Sequence, residues 1–254
     1  MAISWTAKKQ MIFLAIFLLV IVIVIAIVFA KATRPTCFDA KQNQKEEGID
    51  CGGPCPKKCL GEIKEPIVFW SKVFKIGEGR YDAVSLVQNP NIFLFVPSVK
   101  YQFKLYDRNN ILIAVREGKT FFNSGETFPI FGANIDVGSR LPERVFIEIE
   151  KNIQWERLDK EREKPQLVVS KKDFFNTEPF PRLFAAIANK SIFNVDNVSA
   201  AAILYDKDKN AKGVSVTRID VIPAGGSYEA VFTWPAPFSE EPALSEIFLR
   251  TEIK

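Results

Sequence analysis

Apolar residues form one unbroken block close to the start of the chain. From Met11 to Ala30 the sequence reads MIFLAIFLLVIVIVIAIVFA, without a charged or polar side chain, a Gly or a Pro. As a helix, this block spans roughly 30 Å, which is the thickness of the hydrocarbon core of a bilayer. The pattern therefore predicts a transmembrane helix over residues 11–30, preceded by a short N-terminal segment.

A cleaved signal peptide is the closest alternative for this block. Lys8 and Lys9 would supply the charged region that precedes the apolar part of such a peptide. However, the apolar run is longer than in cleaved signals, and residues 29–33 offer no small-x-small cleavage site. We therefore expect an uncleaved signal anchor.

Beyond residue 63 the apolar positions recur with a period of two, which is typical of strands with one buried face. In one such run the apolar residues are Val99, Tyr101, Phe103 and Leu105. In a second run they are Val198, Ala200, Ala202 and Leu204. Because the second run has smaller side chains, we expect large residues of an opposing sheet to fill its core, namely Phe184, Phe193 or Phe232.

The two runs belong to an internal repeat, which appears when the sequence is shifted by 99 residues. Pro66 and Pro165 begin equivalent segments. An acidic turn residue follows 41 residues after each proline, Asp107 in FKLYD and Asp206 in AILYD. The register is therefore kept over this whole span without a net insertion.

The correspondence continues towards the end of each copy. The turn at residues 123–128 matches residues 224–228 at a shift near 100, and VFIEIE at 145–150 matches IFLRTE at 247–252 at a shift of 102. Short strands punctuated by turns predict, in each copy, an antiparallel β-sandwich of about seven strands. The sequence therefore predicts a mainly β protein with two tandem sandwiches.

The predicted organisation follows from these patterns. It comprises a cytoplasmic N-terminus (1–10), a transmembrane helix (11–30), a cysteine-rich stalk (31–62), a first β-sandwich (63–152), a charged linker (153–164) and a second β-sandwich (165–254). The alternating charges of the linker predict a solvated segment or a short exposed helix. Trp155 lies in this linker, and we expect its ring to pack on one module and limit the motion of the pair.

Composition supports a β-rich fold and argues against most kinds of catalysis. Phe is abundant, at 22 residues, which favours strands. His is absent, which removes the commonest general base and the commonest metal ligand. The sequence contains neither Ser-x-x-Lys nor Gly-x-Ser-x-Gly. We therefore expect a protein that is not an enzyme and has no cofactor, and a net charge of +4 does not indicate a nucleic-acid partner.

All four cysteines lie in one short stretch after the apolar block, TCFDAKQNQKEEGIDCGGPCPKKC. Their spacing lacks the paired C-x2-C of common zinc sites and the C-x-x-C of thioredoxin-like centres. Because cysteines clustered beside a membrane span suit an oxidising compartment, we expect two disulfides, with zinc and reactive thiols as alternatives. The residues concerned are Cys37, Cys51, Cys55 and Cys59. The same argument places everything after the helix outside the cytoplasm.

The cysteine stretch resembles a motif that recurs next to membrane anchors in bacterial surface proteins, with the approximate form C-x-D-G-x-x-N-x-x-E-x-G-x-D-C-G-G-x-C-x-x-C. Ala40 stands where the motif has Gly, and Lys58 adds a residue before the last cysteine. Four of the matching residues carry oxygen ligands of the kind that calcium takes: Asp39, Asn43, Glu47 and Asp50. Because Lys41 and Lys45 lie among them, we favour turn capping over a metal site, and calcium is the alternative.

FKLYD and AILYD resemble the motif of the FxLYD family, which consists of small extracytoplasmic β-sandwiches similar in architecture to immunoglobulin-like domains. The first copy matches this motif at Phe103, Leu105, Tyr106 and Asp107. The second copy matches it at Leu204, Tyr205 and Asp206, with Ala202 in place of Phe. The resemblance implies a fold and a location, and no chemistry.

Together these observations predict a single-pass protein of the cell membrane that displays two sandwich modules outside the cytoplasm. Its expected work is protein binding or envelope assembly, with the bilayer and a protein partner or a second copy as partners. The alternative is an accessory subunit of a membrane enzyme or transporter. An enzyme would require a cleft near Trp155 lined by paired carboxylates.

Overall fold

The computed structural model describes residues 5–32, 36–43, 45–55, 59, 61, 63–158 and 164–252. Residues 1–4 of the predicted N-terminus and 159–163 of the predicted linker lie outside this set. The chain divides into two compact units, residues 1–59 and residues 60–254.

The first unit begins with one long helix, α1 (Trp5–Ala32), which contains the predicted span and extends it at both ends. The stretch from Lys9 to Phe29 has a mean hydropathy of 3.7, and none of it is buried. An amphipathic core helix would cover one apolar face, whereas α1 is apolar on every side from Met11 to Ala30. The helix is therefore long and apolar enough to cross a membrane, as a signal sequence would also be.

The second unit is built of strands, and the fold is mainly β, as predicted. In its first half the strands are β1 (Ile67–Gly77), β2 (Arg80–Gln88), β3 (Leu94–Tyr106), β4 (Leu112–Phe122), β5 (Thr127–Asp136), β6 (Arg144–Ile149) and β7 (Glu156–Arg157). In its second half they are β8 (Leu167–Phe175), β9 (Arg182–Asn189), β10 (Val195–Tyr205), β11 (Ala211–Ile222), β12 (Ser227–Thr233) and β13 (Leu244–Arg250).

The strands pair in the same order in both halves, and all the pairs are antiparallel. The sheet β1-β2-β5 corresponds to β8-β9-β12, and the sheet β4-β3-β6 corresponds to β11-β10-β13. Each described half thus has six equivalent strands where the sequence predicted about seven. The two-residue β7 is an addition to the first half, where it pairs with β3.

The strand register corrects one of the sequence matches. Phe103 of β3 lies opposite Ile147, and its counterpart Ala202 of β10 lies opposite Ile247. The last strands of the two copies therefore correspond at a shift of 100, so the match of VFIEIE with IFLRTE at a shift of 102 is wrong. Apolar residues alternate in both strands, and a slip of two residues keeps the same face buried.

Each half has its own apolar cluster. The predicted inward residues Val99, Phe103 and Leu105 are fully buried in the first cluster. Their counterparts from Val198 to Leu204 are buried in the second cluster, where Phe232 and Trp234 supply the bulk that the alanines lack.

The expected filling of the second cluster is correct for Phe232 and Phe193, which pack in or against it, and wrong for Phe184. In β9 the inward positions are Leu183, Ala185 and Ile187. Phe184 lies one residue out of phase, and its ring contacts Phe175 at 6.0 Å. The period-two pattern decides the face, whatever the size of the side chain.

A third apolar cluster joins the two halves into one unit. Val84 of β2 packs there with Ile203 and Tyr205 of β10. Aromatic residues from both halves surround them: Trp70, Phe74, Phe131 and Phe248. Because Ala83 and Val87 of β2 face the first cluster, this strand is buried on both faces.

Trp155 packs against the first cluster, as expected, with its ring 6.3 Å from that of Phe122. The residues that follow it form the short strand β7 rather than the start of an exposed helix. Two main-chain pairs with β3 hold this part of the predicted linker on the first half.

Candidate functional site

All four cysteines of the chain form disulfides, as predicted. Cys37 pairs with Cys55, and Cys51 pairs with Cys59, with Cα–Cα distances of 5.6 and 5.0 Å. The two pairs interleave along the sequence, since Cys51 lies inside the loop that the first bridge closes. This segment has few apolar side chains, and each bridge contributes about 2–4 kcal/mol of stability by restricting the unfolded chain.

A buried carboxylate lies beside the first bridge. Glu46 is 6% exposed, and its Oε2 accepts hydrogen bonds from the backbone N–H groups of Asn43 and Asp50, at 3.1 and 3.3 Å. Its Oε1 lies 3.0 Å from the Cys55 sulfur. Glu46, Cys37 and Cys55 together resemble a metal-binding triad. Metals bind thiolates, however, and both sulfurs are joined in the disulfide, so this triad is a folding element while the bridge is intact.

Asp39 and Asp50, two of the calcium candidates, accept hydrogen bonds from the backbone of the same segment. Asp50 accepts hydrogen bonds from the N–H groups of Asp39 and Ala40, at 3.0–3.2 Å. Asp39 accepts from the N–H groups of Thr36 and Lys41 and from the side chain of Asn43. The bond from Asn43 and those from the backbone hold the pKa of the Asp39 carboxyl below its usual value. These contacts are the ones that turn capping requires.

The glycines of the CGG sequence are required by the same turns. Gly52 and Gly53 have positive φ angles of 74° and 57°. A Cβ on Gly53 would overlap the Lys45 carbonyl oxygen. Ala40, at the place where the resembling motif has Gly, has a φ of 57°. An L-residue is strained in this region, so Ala40 carries strain that a glycine would not.

The two LYD sequences close equivalent turns. Asp107 Oδ1 accepts hydrogen bonds from the N–H groups of Asn109 and Ile111, at 2.9 and 3.0 Å. Asp206 Oδ1 accepts from the N–H groups of Asp208 and Asn210, at 3.0 and 2.8 Å. Both aspartates thus stabilise turns, the role that side-chain to backbone bonding predicts.

The tyrosines of the two motifs differ in their surroundings. Tyr205 is buried in the third cluster, and its hydroxyl donates to the Glu246 carboxylate at 3.2 Å. Burial, and then the neighbouring Glu246, raise the pKa of Tyr205. Tyr106 is half-buried and packs against Phe146 at 5.8 Å. The motif therefore reports a common turn, while the second copy also uses its tyrosine at the junction.

A buried asparagine shapes the loop at the other end of each copy. Asn89 donates to the carbonyls of Leu94 and Asn123, and Asn189 donates to those of Phe193, Ile222 and Pro223. Both side chains are fully buried. Each Oδ1 accepts the N–H group two residues later, so the two loops have the same bonded frame.

An ion pair with low solvent exposure links the two halves next to this loop. Arg250, 8% exposed, donates through Nε to Glu126 at 3.1 Å and through Nη2 to the Phe121 carbonyl at 2.6 Å. Its guanidinium also lies 3.6 Å from the centre of the Phe128 ring. Burial raises the pKa of Glu126, and Arg250 partly offsets this. Sequence reasoning missed this pair.

One signal in the sequence could have located the pair. In the corrected register Arg250 corresponds to Glu150, and Glu126 corresponds to Gly226. Both members therefore occupy positions where the two copies carry different kinds of residue. In a repeat, residues that differ at matched positions are candidates for contacts between the copies, whereas shared residues maintain the common fold.

Two cavities of the second unit that are open to solvent lie on the first half. A cavity of about 450 Å³ beside Ile153 has two carboxylates in its wall, Glu65 and Glu150. A larger groove of about 770 Å³ is lined by residues of β3, β4 and β6, with lysines and glutamates around Tyr101.

No protein-family model and no curated protein matches this chain. The function is therefore argued from the residues and their geometry.

Proposed function

We propose that this chain is a single-pass membrane protein that displays two FxLYD-like, immunoglobulin-like β-sandwich modules outside the cytoplasm. The cysteine-rich segment is a stapled spacer, and the modules bind a protein partner or assemble the envelope, without catalysis. The repeated strand order supports the two-module interpretation, because each half pairs one sheet of β1-β2-β5 type with one of β4-β3-β6 type.

One observation carries the membrane part of the proposal. The stretch Lys9–Phe29 is apolar at every position from Met11 onwards and has no buried face, and the next cysteines along the chain are all in disulfides. A helix without a covered apolar face needs lipid around it, and stable disulfides need an oxidising compartment. Anchoring with extracytoplasmic modules satisfies both requirements.

The binding role is supported by the third apolar cluster. Side chains of both halves share it, and Arg250 with Glu126 adds a polar link. Two modules fixed in this way present one rigid surface, which loses less conformational entropy on binding than two flexibly joined modules would. The polar groups described in the turns are engaged in hydrogen bonds to the backbone, which suits a scaffold.

Crosslinking of the full chain in native membranes, followed by mass spectrometry, tests this function. We expect crosslinks from lysines of residues 63–252 to a protein partner or to a second copy. A multi-spanning protein or an enzyme as the main partner would favour the accessory-subunit alternative. Absence of any protein crosslink, together with turnover of an envelope polymer by the purified chain, would overturn the proposal.

A further inference from the structure

Both copies expose an isoleucine at the same place in the repeat. Ile92 is 64% exposed and Ile192 is 89% exposed, and Phe93 beside Ile92 is 63% exposed. We call these three residues the apolar tip. They follow Asn91 and Ser191, which are buried and bonded to the asparagine of the loop frame. The loop geometry therefore holds the isoleucines outward.

The members of the apolar tip lie at the same end of the unit. Gly125 donates its N–H to the Asn91 carbonyl, and the neighbouring Asn123 donates to the Thr251 carbonyl of the second half at 3.0 Å. Thr251 in turn donates through Oγ1 to the Asp196 carbonyl, close to the loop that carries Ile192. The two loops therefore flank the junction of the halves.

The chain from the helix reaches the second unit at this end. The backbone N–H of Lys64 donates to Asn91 Oδ1 at 2.9 Å, and Asn91 Nδ2 donates back to the Lys64 carbonyl at 2.8 Å. Ile63, the residue before, is 45% exposed. Lysines near the tip are exposed at Lys64, Lys164 and Lys190.

We propose that the apolar tip inserts into the interfacial region of the same bilayer that α1 spans. Large apolar side chains flanked by lysines are the composition that this region of a bilayer accepts, with the ammonium groups near lipid phosphates. Three observations favour lipid over solvent: Lys64, where the chain enters the second unit, is bonded at the tip end, a bonded loop lies under each isoleucine, and both copies use the same position. This inference rests on the anchoring part of the proposed function.

A single fluorescent label in the full chain tests the inference. All four native cysteines are in disulfides, so an Ile192→Cys variant offers one reactive thiol. The matched control is Leu141→Cys, because Leu141 is 68% exposed and follows a turn bonded to Gly79, at the opposite end of β1 and β2. Each variant is labelled with an environment-sensitive dye and reconstituted into nanodiscs of phosphatidylcholine and phosphatidylglycerol.

We expect the label at position 192 to emit at shorter wavelength and to be quenched by doxyl-labelled lipid at least about twofold more strongly than the label at position 141. If the chain elutes with the nanodisc and both labels are quenched equally and weakly, the proposed insertion of the apolar tip is wrong and the proposed membrane anchor is unaffected. A chain that elutes without the nanodisc would overturn the anchor. A label at position 192 that is shielded only after addition of membrane protein extract would make the tip a protein contact and overturn the lipid assignment.

Discussion

At the scale of single residues, the two turn aspartates show how a short motif can fix a backbone. Asp206 Oδ1 accepts the N–H groups of Asp208 and Asn210, and a single carboxylate oxygen thereby closes the loop between β10 and β11. The bond from the Asn210 backbone is the main reason that the pKa of Asp206 lies below its usual value. The charged form is thus the one that stabilises the folded state.

The first prediction concerns this aspartate. Asp206→Ala removes the acceptor and is expected to lower the Tm of the full chain in detergent, followed by near-ultraviolet circular dichroism. Asp206→Asn retains an oxygen acceptor, so its Tm is expected to lie between those of the wild type and Asp206→Ala. Because the folded pKa of Asp206 is lowered, its stabilisation is present above the unfolded pKa and is lost as the pH falls through the folded pKa. The advantage of wild type over Asp206→Asn should therefore shrink in acid.

Asp208→Ala is the matched control, since Asp208 contributes its backbone N–H to the turn and its side chain is exposed. An equal loss of Tm in Asp208→Ala and Asp206→Ala would show that the carboxylate has no special part in the turn.

Ala40 gives the second prediction. Its φ of 57° lies in the left-handed region, where a Cβ is unfavourable. Ala40→Gly is expected to stabilise the cysteine-rich segment by about 1 kcal/mol, after the larger entropy loss of glycine is deducted. The measurement is the rate at which dithiothreitol exposes thiols to maleimide in the full chain, which should fall about fivefold.

Lys41→Gly is the control for this change, because Lys41 lies next to Ala40 and does not have a positive φ. It should leave the rate unchanged or raise it. A faster reduction of Ala40→Gly than of wild type would contradict the account of this turn.

Much at this scale could be predicted from sequence. The pairing partners of backbone turns are local, so Asp107 and Asp206 could be assigned their capping role from the LYD turns alone. The interleaved pairing of the cysteines could not, because four cysteines allow three connectivities. Glu46 was also hard to single out from its neighbour, since burial of one of two adjacent glutamates depends on the path that the bridges impose.

At the scale of elements, β13 and the turn before β5 are joined by the Arg250–Glu126 pair. Its members come from different copies, so the pair acts on the junction rather than on either cluster. Arg250 neutralises the Glu126 carboxylate, which would otherwise be an unpaired charge away from water. The Oε2 atom of Glu126 has no hydrogen-bond partner among the described residues. Such pairs are costly to break from one side.

The third prediction is that Arg250→Met destabilises the full chain by about 3 kcal/mol near neutral pH, in urea unfolding monitored by intrinsic fluorescence. Without the guanidinium the folded pKa of Glu126 rises further above its unfolded value. The contribution of Glu126 to the stability of this variant is then most favourable in acid and is lost as the pH rises through that folded pKa. Part of the loss should therefore be recovered on acidification.

Two further variants separate the pair from general effects. Glu126→Gln combined with Arg250→Met leaves no buried charge and should recover most of the loss. Arg218→Met, at an exposed position of β11, should change stability by less than about 0.5 kcal/mol. A double variant as unstable as Arg250→Met alone would contradict the role of the charge pair.

The elements themselves were accessible from the period-two pattern, and so was their correspondence between the copies over β3 and β10. The period-two pattern gave a wrong alignment where two registers fit it equally well. A slip of two residues preserves the alternation, which is why β6 and β13 were aligned two residues away from the observed register. Phe184 was placed in the core by its size, although its position in β9 points to the other face.

At the scale of the whole molecule, the third apolar cluster was beyond sequence reasoning. Val84 and Leu86 place apolar side chains on the face of β2 that a separate sandwich would expose to water. Ile203 and Tyr205 occupy the equivalent face of β10. A strand that is apolar on both faces is the sequence signal for burial on both. Which strand would cover it depends on how the copies meet, and no local pattern encodes that.

The proposed uncleaved anchor, followed by a disulfide-stapled, extracytoplasmic chain, is tested most directly by intact-mass spectrometry of the protein from carbonate-washed membranes, after treatment with maleimide without reduction. We expect one species that contains α1 and carries no maleimide on Cys37, Cys51, Cys55 or Cys59. A mass that begins after α1 would show a cleaved signal, and a species with four maleimides would show free thiols. Either result would contradict the proposal.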